Sequence, residues 1–132
     1  MKTACALGLS ILFVLQAAHA QQPPAPKLTT LVRSPVTGQP DKEFLLVSIE
    51  WPAGTGTPVH THLGDEHGTV IEGSYTVKQG DGEWKTMNVG ESWSVPASVV
   101  HQGKNAAQST TKTINAFIVE KGKPLIHPVQ GQ

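Results

Sequence analysis

The sequence carries little charge and almost no cysteine. Only 15% of its 132 residues are Asp, Glu, Lys or Arg, the formal net charge is zero, and Arg33 is the single arginine. No basic run occurs, which excludes the electrostatic footprint of a protein that binds nucleic acid or an anionic membrane surface. The one cysteine, Cys5, has no second cysteine to pair with, so an intramolecular disulfide framework is excluded as well.

A hydrophobic run long enough to span a bilayer is also missing. The apolar stretch over residues 4–18 is too short for that role. Lys2 precedes it, and Ala18 and Ala20 give the small-x-small pattern that signal peptidase recognises. An uncleaved buried helix is the alternative, but these flanks favour a secretory signal peptide over residues 1–20, cut after Ala20.

The domain organisation follows from this cleavage site. The proline-rich residues 21–27 (QQPPAPK) are predicted to form an extended spacer, and residues 28–132 a single domain. Cleavage would remove Cys5. The predicted location is periplasmic or secreted, with no stable membrane insertion after cleavage and no nucleic-acid partner.

Helical periodicity is missing after residue 27, where no stretch keeps an apolar 3.6-residue period over three turns. Short runs rich in β-branched and aromatic residues occur instead, each closed by a glycine or proline turn signal. The runs cover residues 28–33, 44–51, 70–78, 83–89, 92–95 and 111–120. Short strands spaced by such turns are typical of antiparallel sandwiches and barrels, so we predict an all-β domain.

Ionisable side chains crowd into residues 60–67, HTHLGDEH, which hold three histidines, one aspartate and one glutamate. On an extended strand His60 and His62 project from the same face. Two imidazoles on one face suit a metal ion, although a surface pair or a hydrogen-bonded pair gives the same spacing. Glu66 favours the metal hypothesis, because residues 63–65 can turn the chain and bring a carboxylate beside the histidines.

A second stretch, residues 90–105, supplies a further histidine, and the two stretches together resemble the cupin superfamily. The family's motifs are G(x)5HxH(x)3-4E(x)6G and G(x)5PxG(x)2H(x)3N. The positions filled here are Gly54, His60, His62, Glu66, Gly73, Gly90, Pro96, His101 and Asn105. Ser98 stands where the family has glycine, and serine tolerates positive φ less well. This departure leaves the turn before His101 open to question.

The resemblance implies an antiparallel double-stranded β-helix, also called a jelly-roll barrel. It also implies that one divalent first-row transition metal is held inside the barrel by His60, His62, Glu66 and His101. Iron, manganese, nickel, zinc and copper all accept three imidazoles and one carboxylate. Burying four such groups unpaired is costly and a cation would satisfy them all, whereas a water-filled polar cavity is the alternative.

The cupin superfamily includes dioxygenases, isomerases, decarboxylases, seed storage proteins and ligand-sensing domains, so the fold does not fix the function. The resemblance implies either an oxygenase-like enzyme, whose metal offers open positions to substrate and dioxygen, or a non-catalytic metal or small-molecule binding protein. No Arg/Lys pair in the motifs would clamp a carboxylate or phosphate, which favours small neutral or phenolic ligands. Because small cupins commonly pair through their outer sheets, we also predict a homodimer in which residues 28–33 cross to the neighbour.

Four other residues receive separate predictions. His67 directly follows Glu66 and should point to the opposite face. Asp65 should lie in a turn and bond nearby backbone. Gly68 should face the cavity, where it either leaves free volume for a ligand or marks a β-bulge or close backbone approach. His127, in the tail, has no partner that the sequence identifies.

Overall fold

The computed structural model describes residues 24–130, which form strands and no helix. The predicted signal peptide, its cleavage site and spacer residues 21–23 lie outside the described residues. Within residues 24–130 no helix that could cross a membrane is found. The ten strands are β1 (Lys27–Val36), β2 (Gln39–Trp51), β3 (His60–Thr61), β4 (Glu66–Glu72), β5 (Ser74–Gln79), β6 (Lys85–Asn88), β7 (Ser92–Val95), β8 (His101–Lys104), β9 (Thr111–Glu120) and β10 (His127–Pro128).

The strands form two antiparallel sheets of five strands each. The first has the order β1-β2-β9-β4-β7 and the second has the order β10-β3-β8-β5-β6. Side chains from both sheets meet in one buried apolar cluster, to which β2, β4, β7 and β9 contribute from the first sheet and β5 from the second. The predicted all-β antiparallel class is therefore confirmed.

Period-two alternation decides which side chains reach the interior, and β9 shows it most fully. Its buried positions are Thr111, Thr113, Asn115, Phe117 and Val119, with every intervening residue more exposed. The strand runs antiparallel to β2, whose inward residues are all apolar. The inward face of β9, by contrast, carries three polar residues at its start and two apolar residues towards its end. Buried polar side chains need hydrogen-bond partners, and those of β9 lead to the candidate site.

The predicted strand positions agree with the structure in most places and fail in one. Residues 92–95 and 111–120 are strands with the predicted ends, and residues 28–33, 44–51 and 83–89 fall on strands whose ends differ. The single strand predicted over residues 70–78 is wrong, because the chain breaks at Gly73. Gly73 has φ of 76° and carries the chain from β4 in one sheet to β5 in the other. The short strands β3, β8 and β10 were not predicted.

The edge strand β1 exposes apolar side chains to solvent. Leu28, Leu31 and Val32 are 53%, 51% and 43% exposed, and β1 pairs only with β2 of its own chain. A free sheet edge with exposed apolar residues is a template for pairing with another chain.

We therefore keep the homodimer as a prediction. Light scattering should give the mass of a dimer, and Leu31→Glu should shift it towards the monomer with the far-UV circular dichroism unchanged. A monomeric wild type at high concentration would refute the dimer.

Candidate metal centre

Three histidines meet in the interior of the described domain. His60 on β3 and His101 on β8 are direct partners in antiparallel register, and His62 lies two residues after His60. All three are buried, with 2–4% of their surface exposed. One ring nitrogen of each lies within 4.8 Å of those of the other two. The three histidines therefore form a possible metal site.

Glu66 reaches the same place from the opposite sheet. It begins β4 and is 7% exposed. Its Oε2 atom lies 3.0 Å from Nε2 of His62 and 3.1 Å from Nε2 of His101. The four side chains named from the sequence are thus neighbours, and we refer to His60, His62, Glu66 and His101 as the cluster.

Hydrogen bonds on the outer side of each imidazole fix which nitrogen carries the proton. Each Nδ1 lies 2.6–2.9 Å from a backbone carbonyl oxygen, in the pairs His60–Pro58, His62–Leu125 and His101–Val99. A carbonyl oxygen only accepts, so each Nδ1–H donates to it. Every neutral ring therefore turns a bare Nε2 lone pair towards the cluster. Metal-binding histidines are held in the same way.

The donor set fits a metal ion in charge and in spacing. Three bare imidazole nitrogens and one carboxylate offer acceptors only, and a cation is the partner that satisfies them together. Atoms that each lie about 2.1 Å from one ion, at roughly 90–105° to one another, are about 3.0–3.3 Å apart. The Nε2 and Oε2 atoms here are separated by 3.3 Å (His60–His62), 3.0 Å (His62–Glu66) and 3.1 Å (His101–Glu66). Mixed nitrogen and carboxylate ligation suits a divalent first-row metal.

The protonation states also suit metal ligation. Burial is the main cause that lowers the pKa of His60 to about 4, and the nearby His101 and His62 act in the same direction. Burial alone would raise the pKa of Glu66, but the neighbouring His101 and His62 lower it to about 2. At neutral pH His60 is therefore uncharged and Glu66 ionised, which are the forms that bind a metal.

A cavity of about 220 Å³ opens beside the cluster. Its walls are mainly apolar and aromatic, and the larger apolar and aromatic side chains among them are Leu28, Ile49, Trp51, Tyr75, Val77, Trp93, Phe117, Leu125 and Ile126. Apart from the cluster, no ionised side chain of the described residues lines it. Burial raises the pKa of the Tyr75 hydroxyl well above its usual range, so Tyr75 remains a neutral phenol. The cavity is smaller than the roughly 300–1,000 Å³ of drug-sized sites and suits a small uncharged ligand.

The turn before His101 accommodates the serine that departs from the family pattern. Ser98 has φ of 64°, and within residues 24–130 it is the one non-glycine residue with positive φ. Its N–H donates to the carbonyl oxygen of His62 at 2.9 Å, and the N–H of Ala97 donates to Oδ1 of Asp65 at 2.9 Å. These bonds hold the strained conformation in place. Asp65 therefore accepts from backbone 32 residues along the chain, and the predicted bond to nearby backbone is not the one found.

The residues after Glu66 on β4 settle two further expectations. His67 is exposed, on the face opposite to the cluster, as predicted. Gly68 is buried, and the indole ring of Trp93 occupies the place where a Cβ atom would lie. The free volume predicted as one alternative is therefore filled, and pairing with β7 is regular from Glu66 to Thr69, so no bulge occurs at Gly68. The predicted close approach to Gly68 does occur, but the group that approaches is the side chain of Trp93 and not the backbone.

Sequence reasoning missed several residues that contact the cluster or line the cavity. Asn115 donates to Oε1 of Glu66 at 2.7 Å, and Tyr75 and Trp51 line the cavity. The alternation of β9, which turns Thr113 and Asn115 to the same face as Phe117, was the available signal for Asn115. Leu125 acts through its carbonyl group, which no sequence pattern reveals. His127 on β10 pairs with Thr61 on β3. Its Nε2 is buried without a hydrogen-bond partner among the described residues.

Comparison of the sequence with known families gives one match. A family profile described as "Cupin domain" matches residues 47–117, which is more than half of the chain. The matched segment contains the whole cluster and most of the cavity wall. No curated protein matches the sequence.

Several solved structures are similar in fold. An uncharacterized protein with a double-stranded β-helix domain from Klebsiella pneumoniae has a TM-score of 0.63 at 16% identity, covering 81% of this chain and 89% of that chain. A cupin superfamily protein from Desulfitobacterium hafniense has a TM-score of 0.60 at 14% identity, with 80% and 84% covered. The DMSP lyase DddQ from Ruegeria pomeroyi has a TM-score of 0.64 at 14% identity, with 81% of this chain but only 54% of the lyase covered. At such low identities these likenesses show the fold alone.

Proposed function

The chain belongs to the cupin family, and from that premise we propose that it is a metal-dependent, oxygenase-like enzyme acting on a small neutral or phenolic substrate. The observation that carries the proposal is the position of the cluster at the wall of an apolar cavity. A buried set of acceptors that faces a mainly apolar cavity is the arrangement expected where a metal meets a small substrate.

We propose that His60, His62, Glu66 and His101 hold one divalent first-row transition metal, namely iron, manganese, nickel, zinc or copper. When bound, such an ion supplies Lewis acidity and open coordination positions. The chain itself orients the ligands. The carbonyl groups of Pro58, Leu125 and Val99 fix the three rings, and Phe117 packs edge-on against His62 with ring centroids 5.1 Å apart.

The cavity walls define the substrate class that we propose. Beyond the proposed metal, the cavity has no arginine or lysine side chain that would clamp a phosphate or carboxylate. Trp51 and Tyr75 pack with ring centroids 4.7 Å apart, and Tyr75 stacks on Trp93 at 5.4 Å. This aromatic wall would contact a planar phenolic ring, exclude water from it, and offer the Tyr75 hydroxyl as a neutral hydrogen-bond partner.

A non-catalytic metal or small-molecule binding protein is the second candidate. It is favoured by one observation: beyond the cluster, Tyr75 is the only titratable side chain of the described residues that lines the cavity, and its raised pKa makes it a poor proton donor or acceptor. The DMSP lyase DddQ shares the fold, so the fold is compatible with an enzymatic role. For either role we propose a periplasmic or secreted location, which rests on the pattern of residues 1–20.

The metal content of the purified protein tests the first step of this proposal. We expect elemental analysis to find close to one equivalent of a divalent first-row metal, and His62→Ala to lose most of it. His67→Ala is the matched control, because it removes an exposed histidine from the same stretch and should retain the metal. A folded wild type that binds no metal would overturn the proposal.

Oxygen uptake separates the two candidates. Metal-loaded protein should consume dioxygen with a member of a panel of phenolic and thiol compounds, and metal-free protein should not. If a compound quenches the cavity tryptophans without any turnover, the binding-protein candidate replaces the enzyme.

A further inference from the structure

A continuous line of buried hydrogen bonds joins the cavity wall to the carboxylate of Glu66. Trp51 Nε1 lies 3.0 Å from Thr113 Oγ1, and Thr113 Oγ1 lies 2.7 Å from Asn115 Oδ1. Asn115 Nδ2 then lies 2.7 Å from Glu66 Oε1. All four side chains are buried, with at most 7% of their surface exposed. Trp51, Thr113 and Asn115 lie outside both histidine motifs, and we call the four residues the relay.

The direction of every bond in the relay is fixed by the chemistry of its groups. An indole N–H can only donate, so the Thr113 hydroxyl accepts from Trp51. The hydroxyl proton of Thr113 is then directed to Oδ1 of Asn115. This leaves the amide NH₂ group of Asn115 to donate to Glu66, whose carboxylate can only accept. Thr113 and Asn115 therefore each accept one bond and donate the next, and every bond in the line has one possible direction.

This line of bonds determines how Glu66 presents its two oxygens. The terminal torsion of a glutamate has a broad preference and does not by itself select a carboxylate orientation. Here Asn115 holds Oε1, so Oε2 is the oxygen that faces His62 and His101. Asn115 in turn cannot rotate its amide without losing the bond from Thr113. The carboxylate is thus held with one oxygen towards the cluster and the other engaged by the protein.

We propose that Asn115 and Thr113 are positioning residues that hold Glu66 as a one-oxygen ligand of the metal. The proposal rests on the metal site proposed above, but on no particular substrate or reaction. Outer hydrogen-bond partners of metal ligands commonly change metal affinity by about 10- to 100-fold. Loss of the Thr113 hydroxyl should free the amide of Asn115 to rotate, and loss of the Asn115 amide should free the carboxylate itself.

The strand β9 offers a matched pair of threonines for the test. Thr111 and Thr113 are both 0% exposed and lie on the same face, but the Thr111 hydroxyl donates to the carbonyl of Ser74 at 2.8 Å and takes no part in the relay. Thr113→Val and Thr111→Val therefore make the same chemical change at equal burial. Thr113→Ser keeps the hydroxyl, and Asn115→Leu replaces the amide by an apolar side chain of the same branching and the same number of heavy atoms.

Cobalt(II) is a suitable probe, since its visible absorption reports ligand number and geometry and its affinity can be measured by competition with a chelator. We expect Thr113→Val and Asn115→Leu to bind cobalt(II) about tenfold or more weakly, with a changed spectrum. Thr111→Val and Thr113→Ser should keep the wild-type spectrum and an affinity within about twofold of the wild type. Circular dichroism checks that each variant is folded, and Thr113→Val and Asn115→Leu each test the relay independently.

Two results would overturn the inference, and they differ in what else they overturn. If Thr113→Val and Thr111→Val weaken binding equally and leave the spectrum unchanged, the relay contributes only packing, while the metal site stands. If the folded wild type binds no cobalt(II), nickel(II) or zinc(II), the metal site and the inference fail together.

Discussion

Removing the metal should lower the melting temperature of the protein by about 10 °C or more at neutral pH. A ligand that binds only the native state, at 100 times its dissociation constant, contributes about 2.7 kcal/mol to the free energy of unfolding. In a domain of this size each kcal/mol moves the melting temperature by roughly 4–8 °C. With a single cysteine in the chain, no intramolecular disulfide adds to this stability.

The structure gives a physical reason for so large a dependence. Without a cation, three Nε2 lone pairs and a carboxylate face one another in the interior, with separations of 3.0–3.3 Å for the pairs in contact. Buried acceptors that lack a partner are costly, and bringing protons in requires charging buried imidazoles. The metal removes both costs at once, so its binding free energy appears as folding free energy.

Thermal scans of metal-loaded and chelator-treated protein measure this effect. His62→Ala should melt near the chelator-treated wild type and respond little to added metal. His67→Ala should keep the full difference between the loaded and stripped forms. A melting temperature that does not respond to the chelator, with the metal shown to be absent, would mean that the cluster is a water-filled polar lining.

The cluster was predictable because the spacing of its residues can be read within short stretches of the sequence. The i, i+2 spacing of His60 and His62 places both rings on one face of an extended chain, and the histidine and glutamate positions match the spacing of a known family. The all-β class was predictable for a similar reason, since turn residues at short intervals leave room only for strands.

The relay was not predictable, because its members meet only through long-range strand pairing. Trp51 and Thr113 are 62 residues apart, and Asn115 and Glu66 are 49 residues apart. No local pattern states that β9 lies between β2 and β4, which is what brings these side chains together. A strand that turns threonine and asparagine inward could be noticed from the sequence, but their partners could not be named.

Local propensity also failed where tertiary contacts decide the backbone. The strands β3 and β8 have the sequences HT and HQGK, in which Thr61 is the single β-branched residue, too little of the content used to recognise strands. They form because they pair with each other and with β5 and β10. Ser98 is a similar case, since its positive φ is supported by its own bond to His62 and by the bond from Ala97 to Asp65, which the sequence does not show.

Acid should destabilise the metal-free protein in two successive stages, and His60 should account for the first. The pKa of His60 falls from its ordinary 6.5 to about 4 in the folded chain. Between these two values the unfolded chain binds more protons than the folded chain, so the free energy of unfolding falls as the pH falls from about 6.5 to about 4. This difference in pKa corresponds to a loss of about 3 kcal/mol in the free energy of unfolding.

The second stage belongs to Glu66, whose pKa falls from 4.5 to about 2 because the neighbouring His101 and His62 outweigh the opposing effect of burial. Its contribution is present above pH 4.5 and is lost as the pH falls from there towards about 2. Proton competition for the metal acts in the same direction, so the metal-loaded protein should lose stability more steeply on acidification.

Urea unfolding of chelator-treated protein at a series of pH values resolves these stages. His60→Gln removes the titrating imidazole and should flatten the dependence between about pH 6.5 and pH 4, even though its stability at neutral pH also changes. Glu66→Gln should keep the slope of the free energy of unfolding against pH in that window, although its contacts with His62 and His101 change. If wild type and His60→Gln lose stability in parallel across the window, another group carries the first stage, and the neutral buried state assigned to His60 is wrong.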